Sequence, residues 1–141
     1  MNFSKATAFD LKELIDLRQK VLHPGGPRDR VVYAEDSDES TLHLILKENK
    51  KIVACGTLID EGGGVFRIRG MAVSDNFRGR GVGSSLVEYF IDHVKKHNGH
   101  LVWCNGRVKA LSLYERHGFV KNGDVFDVFG SGPHFKLKLK I

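Results

Sequence analysis

The most informative segment of the chain is Val65-Phe-Arg-Ile-Arg-Gly-Met-Ala-Val73, followed by Ser-Asp-Asn-Phe-Arg78-Gly-Arg-Gly-Val-Gly83. Its first nine residues are an apolar-rich run bounded by glycines and a polar turn, a pattern that predicts a β-strand. Beyond the glycine-rich segment, apolar residues recur at helical spacing at Val82, Leu86, Phe90 and Val94, backed by Val87 and Ile91. We therefore expect a helix from about Gly79 to His97, ended by Asn98-Gly99.

The segment that opens this helix predicts a phosphate-binding site. The first turn of a helix carries unpaired N–H groups and the positive end of the dipole, and glycines let a ligand approach the backbone. No Gly-Lys-Ser/Thr follows, so the segment is not a P-loop, and it lacks the spacing and the downstream acid of a dinucleotide fingerprint. The predicted pyrophosphate-binding residues are Arg78, Gly79, Arg80, Gly81, Val82 and Gly83, with Ser84 as an additional donor.

The flanking segments predict an α/β sheet with mixed strand directions. On the N-terminal side, a helix (9–22) precedes three strands that should form an antiparallel meander (41–46, 51–59 and 65–73). On the C-terminal side we expect a strand (100–104), a helix (109–117), a strand from Phe119 and a final strand (135–141). The final strand alternates with lysines, a common guard on a sheet edge. The length of 141 residues indicates one domain, residues 1–141.

The net charge of the chain limits the kinds of partner it can bind but does not select one of them. A net charge of +5 favours nucleic acid, an anionic surface or a phosphorylated small molecule. No apolar run approaches the ~20 residues that span a bilayer, and no signal-peptide layout is present, so we expect a cytoplasmic protein without a membrane partner.

Cys55 and Cys104 lie in apolar runs and should be inert, free thiols. His93 and His97 lack the glutamate of a zinc motif, so no metal is expected.

Two spaced motifs resemble those of the GNAT superfamily of N-acetyltransferases. The first is Arg/Gln-x-x-Gly-x-Gly/Ala, matched by Arg78–Gly83, and the second is Asn105 followed by Ala110-Leu-Ser-Leu-Tyr-Glu-Arg-His-Gly-Phe119. The order of predicted elements agrees as well, so the resemblance covers nearly the whole chain and suggests a small bacterial-type single-domain member. It implies a mixed, mostly antiparallel central sheet flanked by helices.

The resemblance also implies acetyl-CoA as co-substrate and assigns residues to it. The backbone of Met71, Ala72 and Val73 would pair with the pantetheine arm, and Asn105 would make a second contact. Tyr114 occupies the position of the family's general acid, since a phenol of pKa ~10 can protonate a departing thiolate. The alternative for Tyr114 is a tyrosine that only packs in a helix.

The general base is left open by the sequence. Many family members carry a glutamate on the strand before the glycine signature, where this chain has Arg67 and Arg69. The alternatives are a chain of water molecules or one of the side chains of Glu35, His43, Asp60, Glu61 and His134.

These residues predict N-acetyl transfer from acetyl-CoA to a primary amine of a small molecule by direct attack. A positive surface would repel lysine-rich protein tails, which favours a small acceptor. Arg69, Arg107 and His134 are the predicted acceptor residues, and the arginines suggest a carboxylate or phosphate beside the amine. The rival functions are a non-catalytic acyl-CoA-binding module and a nucleic-acid-binding protein, which lacks the interleaved exposed aromatics that stacking needs. The sequence leaves monomer and homodimer open.

Overall fold

The structure, a computed structural model, describes all residues from Met1 to Ile141. The helices are α1 (Leu11–Leu22), α2 (Val82–Lys96) and α3 (Leu111–Arg116). The strands are β1 (Ser4–Lys5), β2 (Leu42–Glu48), β3 (Lys51–Gly62), β4 (Val65–Val73), β5 (Leu101–Arg107), β6 (Val120–Lys121), β7 (Phe126–Val128) and β8 (Gly132–Lys140).

All eight strands belong to one sheet in the order β1-β2-β3-β4-β5-β8-β6, and β7 also pairs with β8. Every pair is antiparallel except β4–β5, which is parallel because α2 crosses over between them. α1 packs on β3 and β4, whereas α2 and α3 pack on the opposite face. The expected class, a mostly antiparallel mixed sheet flanked by helices, is confirmed.

Each face of the sheet has its own apolar core. Leu86, Phe90 and Val94 of α2 pack on Phe66 and Ile68 of β4 in a cluster of 16 buried residues. The apolar side of α1 packs on β2, β3 and Ala72 of β4 in a second cluster of eight. Alternation along β4 therefore places Arg67 and Arg69 on the α1 side, opposite Phe66 and Ile68.

A β-bulge at Gly70 interrupts this alternation. Thr57 of β3 is paired with Arg69 and Cys55 with Ala72, so two steps along β3 face three along β4. Gly70 has φ +66°, a conformation that a side chain would strain. The extra residue turns Met71 and Val73 to the α2 side.

β4 and β5 separate soon after they meet. Only Val65, Phe66 and Arg67 pair with β5, through Leu101, Val102 and Trp103. Beyond these pairs the facing edges of β4 and β5 have no strand partner, because β3 and β8 occupy their other edges. The sheet thus opens into a wedge whose two sides are the ends of β4 and β5.

Several expected boundaries change. The final strand does not lie at an edge: β8 is inside the sheet between β5 and β6, so the edge-guard expectation is wrong. α2 begins at Val82 and not near Gly79, because Gly79 (φ +74°) and Gly81 (φ +79°) have left-handed backbone conformations that are incompatible with a right-handed helix. β1 and β7, of two and three residues, were not expected. No helix is long and apolar enough to cross a membrane.

Candidate active site

A cavity of about 860 Å³ occupies the wedge. A second cavity of about 350 Å³ lies at the first turn of α2, and the two share lining residues, among them Val73, Gly79 and Gly83. An elongated ligand can therefore run from the start of α2 into the opening between β4 and β5.

The glycine-rich turn presents backbone donors to the smaller cavity. The first helical hydrogen bond of α2 runs from Ser85 N to Gly81 O at 3.0 Å, so the N–H groups of Val82, Gly83 and Ser84 have no partner within the helix. Gly81 is the N-cap, and only open space surrounds its missing side chain up to Met1, 4.0 Å away. This turn has the geometry of an anion site.

The charged residues of the turn are partly held in place by neighbours. Arg78 forms an ion pair with Asp75 at 3.0 Å and donates from Nε to Val73 O at 3.3 Å. The Arg80 guanidinium lies 4.9 Å from the centroid of the Phe77 ring. Both arginines are exposed and add positive charge beside the helix N-terminus.

Ser84, expected as an extra donor, has a neighbour already. Its Oγ lies 2.7 Å from His117 Nε2 at the end of α3. The backbone N–H of Ser84 is unaffected by this contact, so the contribution of Ser84 to an anion site comes from its main chain.

The edge of β4 and the end of β5 face each other across the larger cavity. Met71 and Val73 line it from β4, and Ala72 between them is buried against α1. Asn105 is exposed and lines the cavity from β5, on the same sheet face as Trp103 and Arg107. The predicted arm-binding residues therefore lie on both sides of the wedge.

Tyr114 is buried in the floor of the cavity. It is 5% exposed, and its ring packs edge-to-face on Phe119 with centroids 5.5 Å apart. Burial, followed by the neighbouring Cys104, raises the pKa of Tyr114 above the usual value of a phenol. Tyr114 is thus both a core residue and a lining residue, and its hydroxyl is held in the protonated form.

Both cysteines are free and buried, as expected. Burial raises the pKa of Cys55 to about 12, and its thiol donates to Gly70 O at 3.6 Å. Burial also raises the pKa of Cys104 to about 12. Neither thiol is poised to act as a nucleophile, because the reactive form is the thiolate.

Stacked arginines line the α1 side of the wedge. The Arg69 guanidinium lies 3.8 Å from the centroid of the Tyr33 ring, and the Arg67 guanidinium lies 4.5 Å from that of Trp103. Trp103 in turn donates from Nε1 to Glu61 at 2.5 Å. Tyr33, which comes from the segment between α1 and β2, was not among the residues predicted for the site.

Arg107 lines the cavity where β5 meets the end of α1. It donates to Leu22 O at 2.5 Å and lies 3.5 Å from Ser131 Oγ, which is also 3.1 Å from His23 Nε2. Burial, then the positive charges of Arg30 and Arg107, lowers the pKa of His23. Arg30 lines the cavity as well and donates to Phe129 O.

Of the five base candidates in the sequence, only His134 lines the cavity. His43 is buried elsewhere, Asp60 caps Gly62 N at 2.9 Å, and Glu61 accepts from Trp103. His134 lies across from Arg107 in the β5–β8 pair, and its Nδ1 is 2.8 Å from Gly132 O. A carbonyl can only accept, so Nδ1 carries the proton and neutral His134 has its lone pair on Nε2.

Below the bulge lies a buried ion pair that the sequence analysis missed. Arg18 is fully buried and makes a two-pronged contact with Asp36, at 2.8 and 3.0 Å. It also donates to Val31 O at 2.8 Å and to Thr57 Oγ1 at 2.7 Å. Arg18 falls on the apolar stripe of α1, at the spacing of Leu14, so a charged residue on that stripe was the available signal.

His43 completes this buried network. Its Nε2 lies 2.9 Å from Asp36 O and must donate there, so Nδ1 accepts from the Thr57 hydroxyl at 2.7 Å. Burial lowers the pKa of His43. The network ties the end of α1 and the turn at Asp36 to β2 and β3, directly behind the Tyr33 ring, which lies 4.1 Å from the Arg18 guanidinium.

Comparison with known proteins gives one consistent result. Residues 10–119 match the model of the Acetyltransferase (GNAT) family. The "Uncharacterized N-acetyltransferase YitI" of Bacillus subtilis is 24% identical over 133 residues, 90% of this chain and 89% of that protein.

Solved structures show the same fold. The ribosomal-protein-S18-alanine N-acetyltransferase of Escherichia coli superposes with a TM-score of 0.81 at 21% identity, over 99% of this chain and 93% of that one. An aminoglycoside 6'-N-acetyltransferase complexed with coenzyme A superposes with a TM-score of 0.79 at 16% identity, over 99% and 97%.

Proposed function

Since the chain belongs to the acetyltransferase (GNAT) family, we propose that residues 1–141 form one domain that transfers an acetyl group from acetyl-CoA to a primary amine of a small molecule. The observation that carries this proposal is the continuity of the two cavities. A backbone anion site at the start of α2 leads into an open wedge with unpaired strand edges. The buried free thiols fit a protein of the cytoplasm.

In this proposal the co-substrate is bound at two places, the first turn of α2 and the free edge of β4. The N–H groups of Val82, Gly83 and Ser84 bind the pyrophosphate, and Arg78 and Arg80 neutralise its charge. The free edge of β4 at residues 71–73 pairs with the amide groups of the pantetheine arm as a strand would.

The reaction then needs two proton transfers. Acetyl-CoA supplies a thioester: the amine nitrogen bonds to its carbonyl carbon, the C–S bond breaks, and CoA leaves as a thiolate. Tyr114 gives its phenolic proton to that sulfur and regains one from solvent. Burial raises the pKa of Tyr114, so the phenol keeps its proton at neutral pH and is available as the donor.

The proton lost by the amine goes to His134 or to water beside it. Because Nδ1 of His134 donates to Gly132 O, Nε2 keeps its lone pair and can accept a proton. No aspartate or glutamate lines the cavity. The same lack of a carboxylate is the observation that favours the alternative function, a non-catalytic acyl-CoA-binding module.

Turnover tests the proposal directly. Purified protein, acetyl-CoA and a panel of primary amines should release free thiol together with the N-acetyl product identified by mass spectrometry. Tyr114→Phe should lower kcat by about 100-fold while acetyl-CoA affinity stays the same, because the ring remains and only the acid is lost. Tight binding of acetyl-CoA without turnover of any amine would instead establish the binding module.

A further inference from the structure

The charge of the larger cavity is one-sided. Its 26 lining residues include no aspartate or glutamate. Six of them are basic: Arg30, Arg67, Arg69, Arg78, Arg107 and Lys109. Arg78 forms an exposed ion pair with Asp75 next to the predicted pyrophosphate site, whereas the four arginines numbered 30, 67, 69 and 107 form no ion pair with any carboxylate of the chain.

Stacking fixes two of these guanidinium groups and leaves their N–H edges free. The central guanidinium carbon of Arg69 lies over the Tyr33 ring, 3.8 Å from its centroid, and that of Arg67 lies over Trp103 at 4.5 Å. Neither side chain makes a hydrogen bond within the protein, and Arg67 Nε is buried without a partner. A stacked guanidinium keeps the fork of donors that binds a carboxylate or a phosphate.

Arg107 donates to Leu22 O and forms no ion pair. Burial and then the charge of Arg78 lower the pKa of Arg107, and burial and then Arg69 lower that of Arg67. Desolvated cations that repel each other gain most from an anion placed between them. Arg69 and Arg107 line the cavity from β4 and β5, the two strands that form the sides of the wedge.

We infer that the acceptor amine carries a carboxylate or phosphate group, which Arg69 and Arg107 bind on the α1 side of the wedge. This inference rests on the proposed function and specifies its substrate class. The anion anchors the acceptor, and the amine at its other end reaches past the Gly70 bulge toward the thioester. Polycationic amines are disfavoured, because they bring positive charge to a cavity lined by four arginines that form no ion pair.

Matched pairs of amines that differ only in the anion test the inference. Glycine is compared with glycinamide and glutamate with its diamide for the carboxylate, and O-phosphoethanolamine with ethanolamine and glucosamine 6-phosphate with glucosamine for the phosphate. Spermidine is the polycation. We expect kcat/KM to favour the anionic member of at least one pair by about 10- to 100-fold, the range of a charged hydrogen-bonded contact. The pair with the larger ratio identifies the group.

Substitutions assign the preference to named residues. Arg69→Gln and Arg107→Gln should each bring the ratio between paired amines toward unity by raising KM for the anionic member, and Arg69→Lys should restore part of it. Arg28→Gln is the matched control, since Arg28 is exposed, pairs with Asp16 at 2.7 Å and lies outside the cavity. Its ratio should equal that of the unmodified protein. Melting temperatures of all variants show whether each is folded.

The outcomes separate this inference from the proposed function. Fastest turnover of spermidine or of the uncharged members, or an unchanged ratio in both glutamine variants, would overturn the inference and leave acetyl transfer standing. If no amine reacts, the proposed function fails, and calorimetric titration of the same pairs onto the CoA-loaded protein still measures the preference. Equal affinities within every pair would then overturn the inference as well.

Discussion

Gly70 controls the geometry of the bulge through the space it leaves empty. A Cβ atom at this position would lie 2.8 Å from Arg18 Nε and 3.1 Å from the Tyr33 ring. Both neighbours are immobile, because Arg18 is bound to Asp36 and Thr57 and Tyr33 is buried. A side chain at position 70 must therefore push the buried network or Tyr33 aside.

Gly70→Ala should destabilise the fold by about 2–4 kcal/mol, from the strain of φ +66° and the overlap with Arg18 together. Gly63→Ala is the matched control: its φ is +62°, but nothing lies within 4 Å of the added atom, so only the backbone strain of about 1 kcal/mol applies. Urea unfolding of both variants measures the difference. Equal losses would mean that the space beside Arg18 is not restrictive.

The sequence could reveal some of these residues and not others. Glycine and arginine spacing identified residues 78–83, because their chemistry depends on a local turn. Arg18 meets Asp36 and Thr57 only after α1 docks on the sheet, 18 and 39 residues away in sequence, so no local pattern indicates the pair. Tyr33 becomes part of the site for the same reason. Asn105 was predicted from its place in the second motif and His134 as a residue of the acceptor side, and the sheet brings both into one cavity.

The start of α2 combines two requirements in one turn. Gly79 and Gly81 both have left-handed φ, and the donors that follow must be reachable by a ligand. A β-branched residue at Gly81 breaks both conditions, since it disfavours the N-cap conformation and covers the N–H groups of the first turn.

Gly81→Val should raise the Kd for acetyl-CoA at least 10-fold by calorimetry, because the backbone donors are displaced or hidden. Gly123→Val offers the comparison, since Gly123 also has positive φ (+97°) and open surroundings but is remote from both cavities. Its affinity should be unchanged. Equal affinity in the two variants would remove the pyrophosphate from this turn.

The bounds of β4 were predicted correctly, whereas β3 and β5 each continue about three residues beyond the expected end. β4 has the bounds expected, 65–73, because a tight turn joins it to β3. β5 continues past Cys104 to Arg107, since its polar end pairs with the start of β8, almost 30 residues later. Such pairing depends on the closed sheet and leaves no periodic pattern in Asn105-Gly106-Arg107.

The stability of the protein should fall as pH drops below about 6.5, the pKa of histidine in an unfolded chain. Burial lowers the pKa of His43, and it also lowers those of His23 and His93. A lowered pKa means that the unfolded state takes up protons first, so stability is complete above pH 6.5 and is lost below it. His43 contributes at most about 1.4 kcal/mol per pH unit in this window.

Thermal unfolding between pH 7.5 and 5 measures this loss. His43→Asn should start from a lower melting temperature and show a shallower pH dependence, because one of the three histidines no longer titrates. His100→Gln serves as the reference, since His100 is exposed. A melting temperature independent of pH in this range would show that buried histidines do not limit the acid stability of the fold.

Only three residue pairs join β4 to β5 within the sheet, although the apolar cluster under α2 contains residues of both halves. The pairs at Val65–Arg67 connect two halves of the sheet, one formed by β1–β4 with α1 and the other by β5–β8. A molecule that binds to both β4 and β5 should hold the two halves of the sheet together. Amide protons of β5 and of β4 should exchange with solvent at different rates in the free protein, and both rates should fall when such a molecule is bound.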